Sequence, residues 1–331
     1  MFSKICKMIC SLFLTSTILV AAPAATPLPS SKIKLAEDVS ASTATLVCTL
    51  GTDKQLLCKP VEKGEIELTT TNLVVLRGPI TAQSASKFVK DFHVLEHKDE
   101  VQRIYVYVNS PGGSIFAGDS VTNMVSSSKK EVVMIIEFAA SMAFHISQFG
   151  TKKLILPTGT MMQHHASGGP NGQQFPNVDK EWSWLKRKVV LMNKKDAAHC
   201  VRTGYKQFMK NIDRDWWLLS DEAVKSGCAD AVVSKLTCSK DLVSKVDLEE
   251  VSFFGMDISI EWSACPLESY PRKITYKSQT SSWDKLTADQ LEVVDQYIML
   301  VSDPLQFYNS FGSFGFNKFV SRKASISNET K

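Results

Sequence analysis

One serine, two adjacent histidines, two nearby aspartates and a pair of glycines are the residues whose types and spacing suit acyl transfer. The serine is Ser141, in Glu137-Phe138-Ala139-Ala140-Ser141-Met142-Ala143-Phe144. It follows an apolar run, Val132 to Ile136, that reads as a buried strand, and it begins a second apolar stretch of helical length. Such a joint presents the hydroxyl. The first amides of the following helix, beginning at Met142, have no intrahelical acceptor and point toward an anion forming there. Gly112 and Gly113 follow a second strand, Arg103 to Asn109, and paired glycines let backbone approach a ligand closely and take φ above zero. Convergence of the Gly113 and Met142 amides beside Ser141 would make a two-donor oxyanion hole, worth on the order of 3 kcal/mol per donor.

A serine hydroxyl needs a base. His164 and His165, in Met161-Met162-Gln163-His164-His165, point to opposite faces of an extended segment, so only one faces Ser141. A carboxylate must orient the imidazole. Asp215, in Asp213-Arg214-Asp215-Trp216-Trp217, is the first candidate and Asp213 the alternative. Phe138 and Phe144, on either side of the serine, are expected to narrow or reshape the pocket.

These groups require a scaffold of strands and helices in alternation. Strands are expected at Leu73–Leu76, Arg103–Asn109, Val132–Ile136, Lys153–Leu156, around Thr160–His165 and at Ala229–Val233. Between them lie a helix with Phe88, Phe92 and Leu95 on one face, a helix ending near Ser127, the helix opened by Ser141, a long amphipathic helix from about Asp179 to Arg202, a piece after Gly204 and a helix at Asp221–Ser226. Such alternation implies right-handed crossovers and a mostly parallel sheet, an α/β fold. Beyond about Lys240, Ile258, Ile260 and Trp262 alternate as in a strand. Thr287 with Gln290 makes a capping-box signature ahead of Leu291, Val294, Ile298 and Val301. The tail, with Phe307, Tyr308, Phe311, Phe314, Phe316 and Phe319, reads as aromatic packing against the main domain rather than a binding stripe.

At the amino end, Lys4 and Lys7 precede an apolar stretch from Met8 to Ala22 and the small-residue pattern Ala22-Pro23-Ala24. This is the pattern of a signal peptide over 1–24, and the run is shorter than the roughly 20 residues that span a bilayer. The expected address is therefore outside the cytoplasm, periplasmic or secreted, with no membrane span after cleavage. Six cysteines then remain, Cys48, Cys58, Cys200, Cys228, Cys238 and Cys265, and an oxidising compartment permits disulfides among them. Cys48 and Cys58, which flank Gly51-Thr52-Asp53 as in a hairpin, are the expected pair, and sequence does not choose among the other connectivities. A net charge of +4 without a dense basic run gives nucleic-acid binding no support. No Cys/His spacing suggests zinc, and no cofactor is expected.

Taken in order, Ile104-Tyr105-Val106-Tyr107-Val108-Asn109-Ser110-Pro111-Gly112-Gly113-Ser114, Ala139-Ala140-Ser141-Met142, Leu156-Pro157-Thr158-Gly159-Thr160-Met161-Met162-Gln163-His164 and the segment from Asp213 to Asp230 resemble the Clp protease proteolytic subunit family. The resemblance covers about half the chain. It implies the crotonase-like ββα superhelix, Ser141 as nucleophile, His164 rather than His165 as base, Asp215 rather than Asp213 as its partner, and Gly113 and Met142 as oxyanion donors. It also implies stacked rings of identical subunits joined through the helix at 179–202. The expected organisation is a signal peptide (1–24), an arm and cysteine-bearing lead-in (25–70), a peptidase domain (71–236) and an α+β extension (237–331).

The resulting expectation is a serine endopeptidase acting on peptides or unfolded proteins as a homo-oligomer. The exported address leaves a Clp-type ATPase partner without ATP, so ATP-independent action is expected. The alternatives are a serine–lysine peptidase of signal-peptide-peptidase type using Lys180 or Lys186, a non-catalytic ring-forming scaffold, and an acyl-CoA enzyme using the same two-amide hole. The last lacks a glutamate base near that hole.

Overall fold

Residue runs that are apolar on both sides of the chain need cover on both faces of a sheet, which is how parallel strands are buried. The computed structural model describes residues 44–50, 56–167, 175–253, 256–277 and 288–306. The expected signal peptide, most of the arm, the Thr287 cap and the aromatic tail from 307 onward lie outside the described residues. Eight strands form the main sheet: β1 (Ala44–Leu50), β2 (Leu56–Leu68), β3 (Leu73–Arg77), β4 (Arg103–Ser110), β5 (Glu131–Ala140), β6 (Lys152–Gln163), β7 (Trp216–Leu219) and β8 (Ala231–Cys238). Their order is β1-β2-β8-β6-β5-β4-β3, with β7 added to β6. The β1–β2 and β6–β7 pairs are antiparallel and the others parallel. The β1–β2 register sets Cys48 opposite Cys58.

Helices α1 (Ala82–Glu96), α2 (Ile115–Ser126), α3 (Met142–Ser147), α4 (Phe175–His199), α5 (Tyr205–Asn211) and α6 (Ser220–Ser226) alternate with these strands. The entry to α1 is fixed by a reciprocal cap: the Ser84 amide donates to the Thr81 hydroxyl and the Thr81 amide to the Ser84 hydroxyl. From there Ala85, Phe88, Phe92 and Leu95 recur at helical spacing and are all buried. They pack with Ile104, Val106 and Val108 of β4 and with Val132, Met134 and Ile136 of β5. Tyr107, Val133, Ile135 and Leu154 fill the opposite face with Leu242 and Cys265. The alternation along β4 and β5 thus serves two cores.

After β8 come α7 (Lys240–Ser244), a three-stranded antiparallel sheet of β9 (Val246–Phe253), β10 (Met256–Ser263) and β11 (Lys273–Lys277), and α8 (Ala288–Ser302). Ile258, Ile260 and Trp262 of β10 pack on Val294, Tyr297, Leu300 and Val301 of α8. Disulfides join Cys238 to Cys265 and Cys200 to Cys228.

Three element expectations change. The strands foreseen at Lys153–Leu156 and Thr160–His165 are one strand, β6, whose pairing with β5 breaks between Ile136 and Phe138 and then resumes. Pro157 and Gly159 read as a stop, yet the chain bulges there and continues. The helix after Ser141 is only six residues long, and the long helix begins at Phe175 rather than near Asp179.

Candidate active site

Three neighbouring parallel strands, β4, β5 and β6, end at one edge of the sheet, and the candidate groups sit on the turns that leave them. At the end of β5 the chain passes directly into α3 through Ser141. Its φ of 55° and ψ of −117° make it the single non-glycine residue with positive φ among the described residues. Two backbone bonds hold that turn: the Ser141 amide donates to the Met162 carbonyl at 2.8 Å, and the His145 amide donates to the Ser141 carbonyl at 3.1 Å. The Ser141 side chain makes no capping bond, so the hydroxyl is not engaged by its own helix.

The turn after β4 abuts this elbow. Gly112 (φ 89°) and Gly113 (φ 148°) take backbone conformations that other residues rarely adopt. A Cβ on Gly112 would lie 2.5 Å from the Ala140 carbonyl oxygen and 2.8 Å from both the Met142 nitrogen and the Ser141 Cβ. The glycine is therefore a steric requirement of the approach. Ile80 bridges this turn, its amide donating to the Gly112 carbonyl at 2.8 Å and its carbonyl accepting from the Ser114 amide at 2.9 Å. That pattern leaves the Gly113 amide on the side away from Ile80. The Met142 amide opens α3, where no intrahelical acceptor exists.

His164 follows β6 by one residue and is half-buried, whereas His165 is exposed and lies 3.8 Å, Nε2 to Oδ1, from the exposed Asp213. The two rings have different surroundings, as opposite faces of an extended segment require. The last β6–β7 pair is Gln163 with Trp216, so the next antiparallel position sets Asp215 across from His164. Burial lowers the imidazole pKa of His164 from its ordinary value; the Asp215 charge opposes that and His165 adds to it. Among the described residues no hydrogen bond joins the Ser141 hydroxyl to His164 or His164 to the exposed Asp215.

Phe138 and Phe144 do not narrow this site. Phe138 packs with Ala140, Met162 and Trp217, and Phe144 lies in the main core against Phe208, both almost fully buried. The break in the β5–β6 ladder between Ile136 and Phe138 turns Phe138 away from the face of Ile136 and toward Met162 and Trp217, and α3 carries Phe144 into the main core. Lys180 and Lys186 are exposed on α4. Sequence reasoning also passed over a buried polar group beneath the elbow, formed by His145, Gln163 and Asp196. No local pattern joins residues so far apart in the chain.

The architecture is that of an α/β protein whose parallel strands deliver a turn-borne serine, a glycine-rich turn and the first amide of α3 to one end of the sheet. The family profile described as Clp protease matches residues 64–236, just over half of the chain. The chain belongs to the Clp protease family. It is similar to the ATP-dependent Clp protease proteolytic subunit 3 of Synechococcus sp. (strain CC9902), 33% identical over 156 residues, which are 46% of this chain and 78% of the relative. Proteolytic subunit 2 of Prochlorococcus marinus (strain NATL2A) is 33% identical over 45% of this chain and 76% of its own length. The proteolytic subunit of Streptococcus pyogenes serotype M1 is 30% identical over 49% of this chain and 84% of its own length.

Proposed function

We propose that this chain is a serine endopeptidase of the Clp protease type. The observation that carries the reading is the strained backbone of Ser141, a positive-φ serine at a strand-to-helix turn with Gly112 packed against it. Strain of this kind costs of order 1–3 kcal/mol and persists where the surroundings enforce it, often at functional sites. In the proposed reaction the Ser141 Oγ attacks a peptide carbonyl while His164 takes its proton, and the Gly113 and Met142 amides hold the oxyanion. His164 returns the proton to the leaving amine, and the acyl-enzyme is hydrolysed by water through the same hole. Asp215 orients and stabilises the imidazolium. The lowered His164 pKa suits a base that is neutral at neutral pH. Catalytic hydrogen bonds that are open without substrate tighten in the complex.

The relatives' names describe ATP-dependent proteases. For this chain we propose action without ATP outside the cytoplasm, because disulfides such as Cys200–Cys228 and Cys238–Cys265 persist in oxidising compartments. No helix among the described residues is long and apolar enough to cross a membrane. The substrates are peptides or unfolded proteins. Self-assembly would use the α4 face that exposes Trp184, Val190 and Leu191, with Phe116 stacked on Trp184 at 5.9 Å. The proposed organisation remains a signal peptide (1–24), a lead-in (25–70), the peptidase domain (71–236) and an extension (237–331).

Fluorophosphonate labelling of the mature protein tests the assignment. Mass spectrometry is expected to find the adduct on Ser141, with none on Ser141→Ala. An adduct on another residue, or none on the correctly assembled wild type, refutes it, and the second result leaves the scaffold reading.

A further inference from the structure

Behind the elbow lies a chain of hydrogen bonds that reaches from the serine turn to the candidate base. His145, one turn into α3, has its amide on the Ser141 carbonyl at 3.1 Å. Its Nδ1 donates to Asp196 Oδ1 at 2.5 Å, and the two side chains are 4% and 1% exposed. The other carboxylate oxygen, Oδ2, accepts from Gln163 Nε2 at 2.9 Å. The Gln163 Oε1 in turn accepts from the backbone amide of His164 at 3.1 Å. Three elements, α3, α4 and the end of β6, meet in this path.

A carboxylate can only accept, so Asp196 fixes the direction of each bond. It requires the Gln163 amide to present its nitrogen to Asp196 and therefore its oxygen to His164. An amide in either orientation would fill the same volume, but only one of them holds the His164 backbone. A charge this deeply buried is costly unless paired and hydrogen-bonded, and here both oxygens are used. A packing role alone would be served as well by apolar side chains of that size.

Resting on the serine-peptidase reading, we infer that Asp196 is a positioning residue for the reaction: through Gln163 and His145 it sets His164 relative to the Ser141 elbow, without touching substrate.

The test exchanges polarity while conserving shape. In Asp196→Asn, the introduced amide oxygen accepts from His145 and the introduced NH2 faces Gln163, which must turn its own NH2 toward the His164 amide. Fluorophosphonate labelling per folded molecule is expected to slow about tenfold and peptide kcat to fall similarly, with KM within twofold. Adding Gln163→Glu restores an acceptor toward both the introduced NH2 and the His164 amide, and the rate is expected to return to within threefold of wild type. Gln163→Met, which removes both contacts and no charge, is expected to slow labelling like Asp196→Asn and guards against a folding defect in that variant. Unchanged labelling in both single variants, or no recovery in the double variant, overturns the inference. Amide hydrogen exchange at His164 reads the network without activity: about tenfold faster exchange in Asp196→Asn, restored in the double variant, supports it, and unchanged exchange refutes it. Absent labelling of wild type with this exchange pattern refutes the peptidase reading and leaves the network standing.

Discussion

Replacing Ser141 by glycine is expected to abolish labelling and at the same time to stabilise the fold. At φ 55° and ψ −117° the serine is strained because its Cβ crowds the backbone, at a cost of about 1–3 kcal/mol for such conformations. Glycine adopts the same angles without the clash but loses about 0.5–1 kcal/mol through its freer unfolded chain. The Ser141 hydroxyl makes no capping bond, so its removal forfeits little. The net expectation is a gain of about 1 kcal/mol, or about 2–4 °C in Tm for a folded unit of this size. Ser141→Ala is the decisive control: it also removes the hydroxyl but keeps the Cβ, and so the strain. Thermal unfolding followed by circular dichroism at pH 7 should rank glycine above alanine, with alanine near wild type. A glycine variant that melts at or below the alanine variant would refute the claim that the elbow stores backbone strain.

Activity should rise with pH through an apparent pKa below the ordinary histidine value of about 6.5, because burial lowers that of His164. Asp215→Asn removes the charge that raises it, so the acid limb of kcat/KM moves lower still while the rate falls by up to about 10⁴-fold. The stability consequence has a definite sign. Folded His164 holds fewer protons than the unfolded chain, so its contribution is complete above about 6.5 and is lost as pH falls toward the depressed folded value; urea melts at pH 7.5 and 5.5, compared with His164→Gln, measure it. Gly112→Ala places a methyl 2.5 Å from the Ala140 carbonyl oxygen, whereas the atoms nearest a methyl in Gly118→Ala belong to the flexible Met142 side chain; the first is expected to lose upwards of about 2 kcal/mol and all labelling, the second distinctly less. Reduction of Cys200–Cys228 and Cys238–Cys265, with sequence separations of 28 and 27, should cost about 3–4 kcal/mol per bridge by loop entropy, read from denaturant midpoints with and without reductant.

The strands were legible because their chemistry is redundant: the β-branched runs at β4 and β5 leave no other way to bury both faces. The joint at Ser141 was legible for the same reason, since a strand pattern and a helix pattern meet at one residue, but its positive φ was not. Nothing in Ala139-Ala140-Ser141-Met142 declares that angle. It follows from the approach of Gly112, which depends on tertiary structure. The continuity of β6 was hidden because Pro157 and Gly159 are local stop signals that neighbouring strands override. Cysteine spacing does not choose partners, so Cys200–Cys228 and Cys238–Cys265 could not be read. His145 and Asp196 are 51 residues apart and share no periodicity, so no local pattern marks the buried histidine as a partner of that carboxylate.

The candidate groups are ordered by the sheet more than by their own turns. β4, β5 and β6 are consecutive parallel neighbours, and neighbouring strands lie about 4.8 Å apart. The turns at their carboxyl ends therefore bring the Gly112-Gly113 turn to one side of Ser141 and His164 to the other, the order that the proposed hole and base require. Such crevices outside the carboxyl ends of strands are where open α/β sheets bind ligands. The antiparallel β7 then returns Asp215 to the far side of His164 without a further crossover. Of the proposed groups, His164 depends most on side chains, because it lies one residue past the last paired position of β6. The buried path through Gln163 and Asp196 supplies, by hydrogen bonds from α4, the constraint that the ladder ends too early to give.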